Sequence, residues 1–312
     1  MNATALSAHR ENGRGASQRV LDHYASHSPF STPGRHAALL DALPFDPASV
    51  ARTVQGLLIY EHVAELFYGY PIPDARRAES HIRPIEQFID ALLELDDRPL
   101  HIGRPSEKRL VGICRHFMLL SLAIFRHHGV PARGRGGFGA YFNPGKFEDH
   151  WVCEYWKAEE CRWALLDSQF DDVFVRNLAI HHDVLDVPRA QFLTASEAWR
   201  RCRGGELNPN LFGIEFSQLR GLWFIAGSLI RDLATLNGQE ILPWDVWGVQ
   251  PAPDATLSDE ELDFFDEIAL LTADPDANFD ALKQRFAEDV RVRVPAKVFN
   301  ALRQREERVF EG

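Results

Sequence analysis

The sequence predicts an α+β fold in which a helix-then-sheet core is wrapped by further helices. A strongly apolar segment runs from about Cys114 to His127 and stops at Gly129 and Pro131, which is typical of a buried helix. The segments that follow are short, rich in aromatic residues and broken by Gly, Asn and Pro, as β-strands are. They span residues 132–143, 150–156 and 161–167. After about residue 190 the helical pattern returns.

Length and composition place the chain among ordinary globular proteins. It has 312 residues, of which 45% are hydrophobic and 25% charged. A chain of this size can bury roughly 75% of its unfolded surface, so its stability requires neither a metal nor a disulfide. Its 34 Lys and Arg against 45 Asp and Glu give a net charge of −11. We therefore expect no nucleic-acid partner, because binding to a phosphate backbone needs basic surface.

The cysteines and the hydropathy pattern indicate a reducing compartment. The N-terminus has no continuous apolar stretch typical of a signal peptide, and no apolar run reaches about 18 residues. Four cysteines are scattered along the chain rather than arranged as a disulfide framework: Cys114, Cys153, Cys161 and Cys202. We expect a cytoplasmic protein without a membrane partner.

Outside the central segment, helices predominate. Apolar residues keep helical spacing from Pro47 to about Phe67, and a second helix starts at Pro84. A helix is also expected over Ser217–Leu236. Ser258 and Glu261 form a capping box for a helix through about Thr272, with further helices to the end of the chain.

These patterns divide the chain into four parts. Residues 1–35 are rich in Ser, His, Gly and Arg and are expected to form a mobile or loosely docked N-terminal arm. Residues 36–100 are a helical segment packed on the core. Residues 101–200 hold the core with its candidate chemistry, and residues 201–312 are a helical C-terminal extension.

Cys114 is the first candidate nucleophile. It follows Gly112 by two residues, at the start of the apolar helix, where unpaired N–H groups and the helix dipole favour an anion. Such a position lowers the pKa of a thiol, and the thiolate is the nucleophilic form. The alternative is that Cys114 is a small buried hydrophobic residue, as free cysteines often are.

His150 and Asp167 are candidates to act with it. His150 opens one predicted strand and Asp167 closes the next. If Trp156 pairs with Cys161 across a four-residue loop, His150 lies directly opposite Asp167 on the same face of the hairpin. The carboxylate could then accept the Nδ1–H of the histidine and leave Nε2 to take a proton from a thiol. A register shift by one residue would separate the two side chains.

The order of these residues resembles the transglutaminase-like superfamily. The matching segments are GICRHF around Cys114, GVPAR at 129–133, DHWVCEYW around His150 and RWALLD ending at Asp167. The resemblance covers about 60 residues. That superfamily shares a papain-like Cys–His–Asp arrangement and includes transglutaminases, peptide N-glycanases and many bacterial members. The upstream Gln, Tyr or Trp that often completes its oxyanion hole has no match in this chain.

The resemblance implies a papain/transglutaminase-like core, in which a nucleophile helix packs on an antiparallel sheet, with additional N- and C-terminal helices. It implies Cys114 as nucleophile, His150 as general base and acid, and Asp167 as the residue that orients the histidine. The expected function is acyl transfer on a small-molecule or peptide amide or ester, ending in hydrolysis or amide formation, with no cofactor. The alternative is a non-catalytic scaffold that keeps the fold.

Three further residues are candidates for substrate binding. Arg133 could hold a substrate carboxylate, although an ion pair within the protein explains it equally well. Tyr141 and Trp151 could line a groove, but aromatic residues of this kind are mostly packing residues.

Two further patterns suggest other functions and are rejected. Gly134, Gly136 and Gly139 match a dinucleotide fingerprint, but they lead into a strand rather than a helix. Close backbone packing in the sheet, or access to the site, explains these glycines better. No metal is expected. Four possible zinc ligands, Cys114, His116, His150 and Cys153, diverge in pairs on helix and strand. His181, His182 and Asp183 are expected to form a solvated loop.

Overall fold

The structure is a computed structural model that describes residues 16–310. Over these residues the α-helices are α1 (Gln18–Ala25), α2 (Ala37–Asp41), α3 (Pro47–Leu57), α4 (Ala64–Tyr68), α5 (Ile85–Leu95), α6 (Cys114–His127), α7 (Asp172–Asn177), α8 (Ala195–Arg203), α9 (Leu222–Leu236), α10 (Asp259–Ala273) and α11 (Phe279–Glu288). The α+β class predicted from the sequence is confirmed.

Over residues 16–310 the strands form three sheets. They are β1 (Leu58–Tyr60), β2 (Leu110–Gly112), β3 (Ala132–Gly139), β4 (Phe147–Lys157), β5 (Arg162–Leu166), β6 (Phe192–Thr194), β7 (Phe212–Ile214), β8 (Leu219–Arg220), β9 (Asp245–Val246), β10 (Lys297–Asn300) and β11 (Arg305–Arg308). The central sheet has the order β6-β3-β4-β7-β8, with β5 also paired to β4. Strands β1 and β2 pair in parallel, and β9, β10 and β11 form a small antiparallel sheet.

One edge of β4 is interrupted, and this gap positions the candidate site. Strand β3 pairs with β4 from Glu148 to Tyr155 on one side. On the other side β7 pairs with Phe147 and Glu148, whereas β5 pairs only from Cys153 onward. Residues 149–152 therefore have no strand partner on that side. Their backbone groups are free to meet another element, since a strand edge presents unpaired N–H and C=O groups.

Helix α6 packs against β3 and β4 and is the centre of the core. Every residue from Cys114 to Arg126 is buried, which explains why its sequence is apolar around most of the helix. Its predicted bounds are confirmed. The helix ends where His128 leaves helical geometry and Gly129 adopts a φ of 72°, which glycine reaches without steric cost.

The glycines of β3 allow helices to approach the sheet. A Cβ added at Gly134 would lie 2.7 Å from Met118 Sδ of α6 and 2.7 Å from Thr235 Cγ2 of α9. A Cβ at Gly137 would lie 2.3 Å from the carbonyl oxygen of Leu193 in the neighbouring strand. The close packing predicted for this glycine pattern is confirmed at Gly134, and Gly137 within the same run is equally confined.

The N-terminal segment differs from the predicted mobile arm. Residues 1–15 lie outside the described part of the chain, but residues 16–35 pack on the core. Ser17 caps α1, and Val20 and Tyr24 are buried. Tyr24 donates a hydrogen bond to the carbonyl oxygen of Leu236 at 3.2 Å. The segment is polar overall, but helix α1 has one apolar face. Burial of that face attaches the segment to the core.

The helix predicted from Pro47 to Phe67 is two helices. It breaks after Leu57, where the chain forms β1 and pairs with β2 before α4 begins. Leu58 and Ile59 are β-compatible and fully buried. Apolar spacing alone did not distinguish them from a continuing helix, because a short buried strand and a buried helix share that pattern.

The C-terminal part is not purely helical. The helix expected from Ser217 begins at Leu222, because Leu219 and Arg220 pair with β7 and Gly221 follows with a φ of 119°. The capping box of Ser258 and Glu261 is confirmed. Beyond α11 the predicted helices are wrong, since the chain forms the β10–β11 hairpin. In addition, α9 packs directly on β3 and belongs to the central core.

Among residues 16–310, no helix is both long and apolar enough to cross a bilayer. Over the same residues, no group of three or more His, Cys, Asp or Glu side chains is arranged to hold a metal ion.

Candidate active site

His150 and Asp167 form a buried hydrogen-bonded pair. The Nε2 atom of His150 lies 2.7 Å from Oδ2 of Asp167, and both side chains are about 2% exposed. Because the carboxylate can only accept, Nε2 carries the proton of this bond. The structure thus joins the two residues as the sequence predicted, but through the other ring nitrogen, since Nδ1 was expected to face the carboxylate.

The strand register that joins them differs from the predicted one. Trp156 pairs with Trp163 rather than with Cys161. Cys161 belongs to the turn and has a φ of 49°, a left-handed conformation that cannot continue a strand. The shift amounts to two residues, which preserves the face on which each side chain lies. Asp167 consequently reaches His150 from a diagonal position beyond the end of β5.

The Cys114 sulfur lies at the interrupted edge of β4. The backbone N–H groups of Trp151, the residue that follows His150, and of Arg115 lie close enough to the thiol to lower its pKa. The first residue of α6 is thereby docked beside the strand that carries the histidine. The structure brings together the three elements that hold the candidate residues Cys114, His150 and Asp167.

The charge state of the thiol differs from the prediction. Burial raises the pKa of Cys114 well above its usual value, and the nearby carboxylates of Asp149 and Asp167 raise it further. The backbone N–H groups of Trp151 and Arg115 lower the pKa of Cys114 and so oppose this rise. Cys114 is 5% exposed. Desolvation outweighs the effect of the helix N-terminus, so the resting form at neutral pH is the protonated thiol rather than a thiolate.

Tyr141 contacts the same carboxylate as the histidine. Its Oη donates to Oδ2 of Asp167 at 2.7 Å, and its ring lies 6.1 Å from that of His150. Burial and the adjacent carboxylate raise the pKa of Tyr141 well above its usual value, so it stays a hydrogen-bond donor. Tyr141 therefore belongs to the site because it contacts Asp167. The substrate-binding role expected for it is a separate matter that this contact does not address.

A cage of aromatic rings surrounds His150 on its face of the sheet. The ring centroids of Phe142, Phe170 and Phe192 lie 4.9, 6.0 and 6.5 Å from that of the histidine. His182, which the sequence placed in a solvated loop, packs 5.0 Å from Tyr141. These rings exclude water from the His150–Asp167 bond and so strengthen it.

Trp151 does not face this cage. Its side chain is 2% exposed and packs in the main core, where its ring lies over Gly136. Successive residues of a strand point to opposite faces, so the tryptophan next to His150 must turn away from it. The expected substrate-binding role of its side chain has no support in this position, whereas its backbone N–H is the group that meets Cys114.

Arg133 is likewise placed elsewhere. Arg133 and Gly137 are both on β3, four residues apart, which corresponds to about 13 Å along the strand. Gly137 is the residue that pairs with His150. Its guanidinium pairs with Glu154 at 2.6 Å and with Asp276, and stacks over the Trp163 ring at 4.1 Å. The alternative interpretation of Arg133, an ion pair within the protein, describes its surroundings.

Two residues near the site were missed by the sequence analysis. Asp149 precedes His150, and burial raises its pKa to about 6 despite the charge of Arg231. Gln169 follows Asp167 by two residues and is 2% exposed. Neither belongs to a recognisable motif. The signal available was their position next to candidate residues in the chain.

Comparison with known proteins adds little. No protein-family model and no curated protein matches the chain. A solved structure that matches is described as a "Putative Cysteine Protease from Cytophaga hutchinsonii", at 14% identity and a TM-score of 0.32. The match covers 57% of this chain and 46% of that one, so the chain spans about half the length of that protein. A similarity of this size supports no assignment of function.

Proposed function

We propose that this protein is a cysteine-dependent acyl-transfer enzyme of transglutaminase-like type, acting on an amide or ester through a thioester intermediate. The observation that supports the proposal is the buried 2.7 Å bond between His150 and Asp167, with the Cys114 thiol near the backbone N–H of Trp151, the residue after that histidine. A nucleophile, a base and an orienting carboxylate are the groups that such a reaction requires.

In the proposed first step, the Cys114 sulfur attacks the substrate carbonyl while its proton passes to Nδ1 of His150. Asp167 accepts from Nε2–H, which fixes the histidine tautomer that has its lone pair on Nδ1. Because the thiol is protonated at rest, proton transfer accompanies the attack instead of preceding it. The backbone N–H at the start of α6 is suited to stabilise the developing oxyanion.

In the second step, the imidazolium of His150 gives its proton to the leaving amine or alcohol as the carbon–heteroatom bond breaks. A water molecule or an amine then enters, loses a proton to Nδ1 and attacks the thioester. The sulfur leaves as the thiolate and recovers the proton from the histidine. Water yields a free acid and an amine yields a new amide. Both outcomes use the same residues and no cofactor.

A second candidate function is a non-catalytic scaffold that keeps the fold. The observation in its favour is burial, because Cys114, His150 and Asp167 are 5%, 1% and 2% exposed. A buried thiol with a raised pKa is also what a structural cysteine would have. For catalysis, the residues that cover the sulfur must move to admit substrate.

An acylation experiment separates the two functions. The protein is incubated with p-nitrophenyl acetate, and the mass of each cysteine-containing peptide is measured after rapid quenching. An enzyme should release p-nitrophenolate and carry an acetyl group on Cys114. The Cys114→Ala variant should lose this release, and Cys161→Ser, which removes an exposed thiol outside the site, should keep it. Folded wild-type protein that never carries acetyl on Cys114 would favour the scaffold.

A further inference from the structure

Gln169 has a buried side-chain amide that makes no hydrogen bond with any described residue. Its side chain is 2% exposed, and both Nε2 and Oε1 lack a partner. A buried amide that has lost its water costs stability unless a partner replaces it. A bound ligand that supplies the missing partners would explain why both Nε2 and Oε1 lack one.

Other buried groups with an unpartnered atom differ from Gln169. Arg104 has two unpartnered nitrogens, but its third donates to the carbonyl oxygens of Asp96 and Arg98. Asn237 has an unpartnered oxygen, but its Nδ2 donates to the carbonyl oxygen of Leu233. In Gln169 both the donor Nε2 and the acceptor Oε1 of the amide lack a hydrogen-bond partner.

The residues next to Gln169 in the chain contact both the helix that begins at Cys114 and the surroundings of His150. Its own backbone N–H donates to Oδ1 of Asp167 at 3.3 Å. Phe170, the next residue, belongs to the aromatic cage of His150. Ser168, the preceding residue, donates through Oγ to the carbonyl oxygen of Phe117, which lies one helical turn after Cys114. The turn that carries Gln169 is thus wedged between the nucleophile helix and the histidine.

We propose that the amide of Gln169 binds an amide group of the acyl substrate. Nε2 would donate to a carbonyl oxygen and Oε1 would accept from an N–H, which is the complement of a peptide-like secondary amide. The substrate class is therefore an acyl donor with such an amide beside the reacting carbonyl. The inference rests on the proposed acyl-transfer function. Cys114 and Gln169 are 5% and 2% exposed, so binding of substrate at either residue requires the residues that cover it to move.

The test compares two activated esters of equal acyl length. The p-nitrophenyl ester of N-acetylglycine carries the amide, and p-nitrophenyl pentanoate carries methylenes instead. Each acylation rate is divided by the rate of the same ester with a small free thiol, which removes differences in intrinsic reactivity. We expect the wild type to prefer the amide ester about tenfold, the value of one to two hydrogen bonds. In Gln169→Leu this preference should fall to about one.

Gln55→Leu is a matched control. The Nε2 of Gln55 donates to the carbonyl oxygen of Phe170 at 3.1 Å, so this variant loses a hydrogen bond inside the protein at the same turn. It should lower the melting temperature and keep the tenfold preference. Gln169→Leu, which removes a group without an internal partner, should keep the melting temperature within about 2 °C or raise it.

The outcomes are separable. An amide preference that is absent in the wild type, or that persists in Gln169→Leu, overturns this inference and leaves the proposed function standing. A clear loss of melting temperature in Gln169→Leu also overturns it, because the amide would then have an internal partner. If neither ester acylates Cys114, the proposed function itself fails and the inference fails with it.

Discussion

Tyr141 and His150 donate to the same carboxylate oxygen, Oδ2 of Asp167, each at 2.7 Å. The other oxygen, Oδ1, accepts from the backbone N–H of Gln169 at 3.3 Å. Three donors converge on one buried carboxylate, so its position is strongly determined. Two donors on one oxygen use both of its lone pairs, so this oxygen acts only as an acceptor.

The first prediction concerns Asp167→Asn. With the amide nitrogen at the Oδ2 position, the side chain cannot accept from Tyr141 or His150, and it can donate to the histidine and favour the wrong tautomer. With the nitrogen at the Oδ1 position, it faces the backbone N–H of Gln169, a donor it cannot accept from. In the serine-protease triad, the same substitution lowers the rate by about 10⁴-fold. We expect acylation by p-nitrophenyl acetate to fall by several orders of magnitude while the far-UV circular dichroism is retained. A variant with nearly normal acylation would exclude the proposed role of this carboxylate.

The second prediction concerns Tyr141→Phe, which removes one donor from the same oxygen. Losing a hydrogen bond to a charged group costs about 1.5–3 kcal/mol of stability. The acylation rate should fall much less than in Asp167→Asn, because the bond from His150 remains. Chemical denaturation and acylation are measured on both variants. If Tyr141→Phe were as inactive as Asp167→Asn, the tyrosine would have a more direct part in the reaction.

The third prediction concerns cysteine labelling by iodoacetamide. Burial and the carboxylates of Asp149 and Asp167 raise the pKa of Cys114, so its labelling should be slow near neutral pH and increase only above the ordinary thiol pKa of about 8.5. Exposed Cys161 should react first. The order of labelling is read by peptide mapping. Fast labelling of Cys114 at pH 6 would show a thiolate and contradict a raised pKa.

The fourth prediction concerns Arg133→Ala. Removing this guanidinium takes the 2.6 Å partner from the carboxylate of Glu154, which still pairs with Arg189 at 2.5 Å and Arg135 at 3.6 Å. Because Glu154 stays paired, we expect the loss in the free energy of unfolding to be that of a hydrogen bond to a charged group, about 1.5–3 kcal/mol. The acylation rate per folded molecule should stay the same, because Arg133 lies about 13 Å along β3 from the partner of His150. Loss of activity in a fully folded variant would make Arg133 a substrate-binding candidate again.

The fifth prediction concerns acid. Burial lowers the pKa of His116 from 6.5 to about 3, whereas the unfolded chain binds that proton near 6.5. Between these values the unfolded state holds more protons, so the contribution of this residue is complete above pH 6.5 and falls as the pH decreases, by up to about 1.4 kcal/mol per pH unit. His23, His27 and His81, each with a pKa lowered to about 4, act in the same direction.

Buried carboxyls with a raised pKa act in the opposite direction, because their folded state binds a proton first. Asp149, whose pKa is raised to about 6 by burial, is an example. The four histidines outweigh it, so the free energy of unfolding should fall between pH 7 and pH 5. Urea unfolding at a series of pH values measures it. His116→Gln should reduce the slope. A free energy of unfolding that is constant or increases toward pH 5 would contradict the prediction.

The sequence by itself determined the α+β class, helix α6 with Cys114 at its start, the two strands that carry His150 and Asp167, and the capping box at Ser258. Each of these depends on a local pattern: a period of apolar residues, a cap or a helix-stopping turn. The residue order that resembles a known family is local in the same sense.

Only the tertiary structure decided how those parts meet. The gap along β4 that receives the Cys114 sulfur exists because β5 and β7 pair with different ends of that strand. The register between β4 and β5 depends on which residues form the turn between them. The raised pKa of the Cys114 thiol results from burial by segments that are distant in the sequence. Such properties come from desolvation and from contacts between distant residues, which no local pattern encodes.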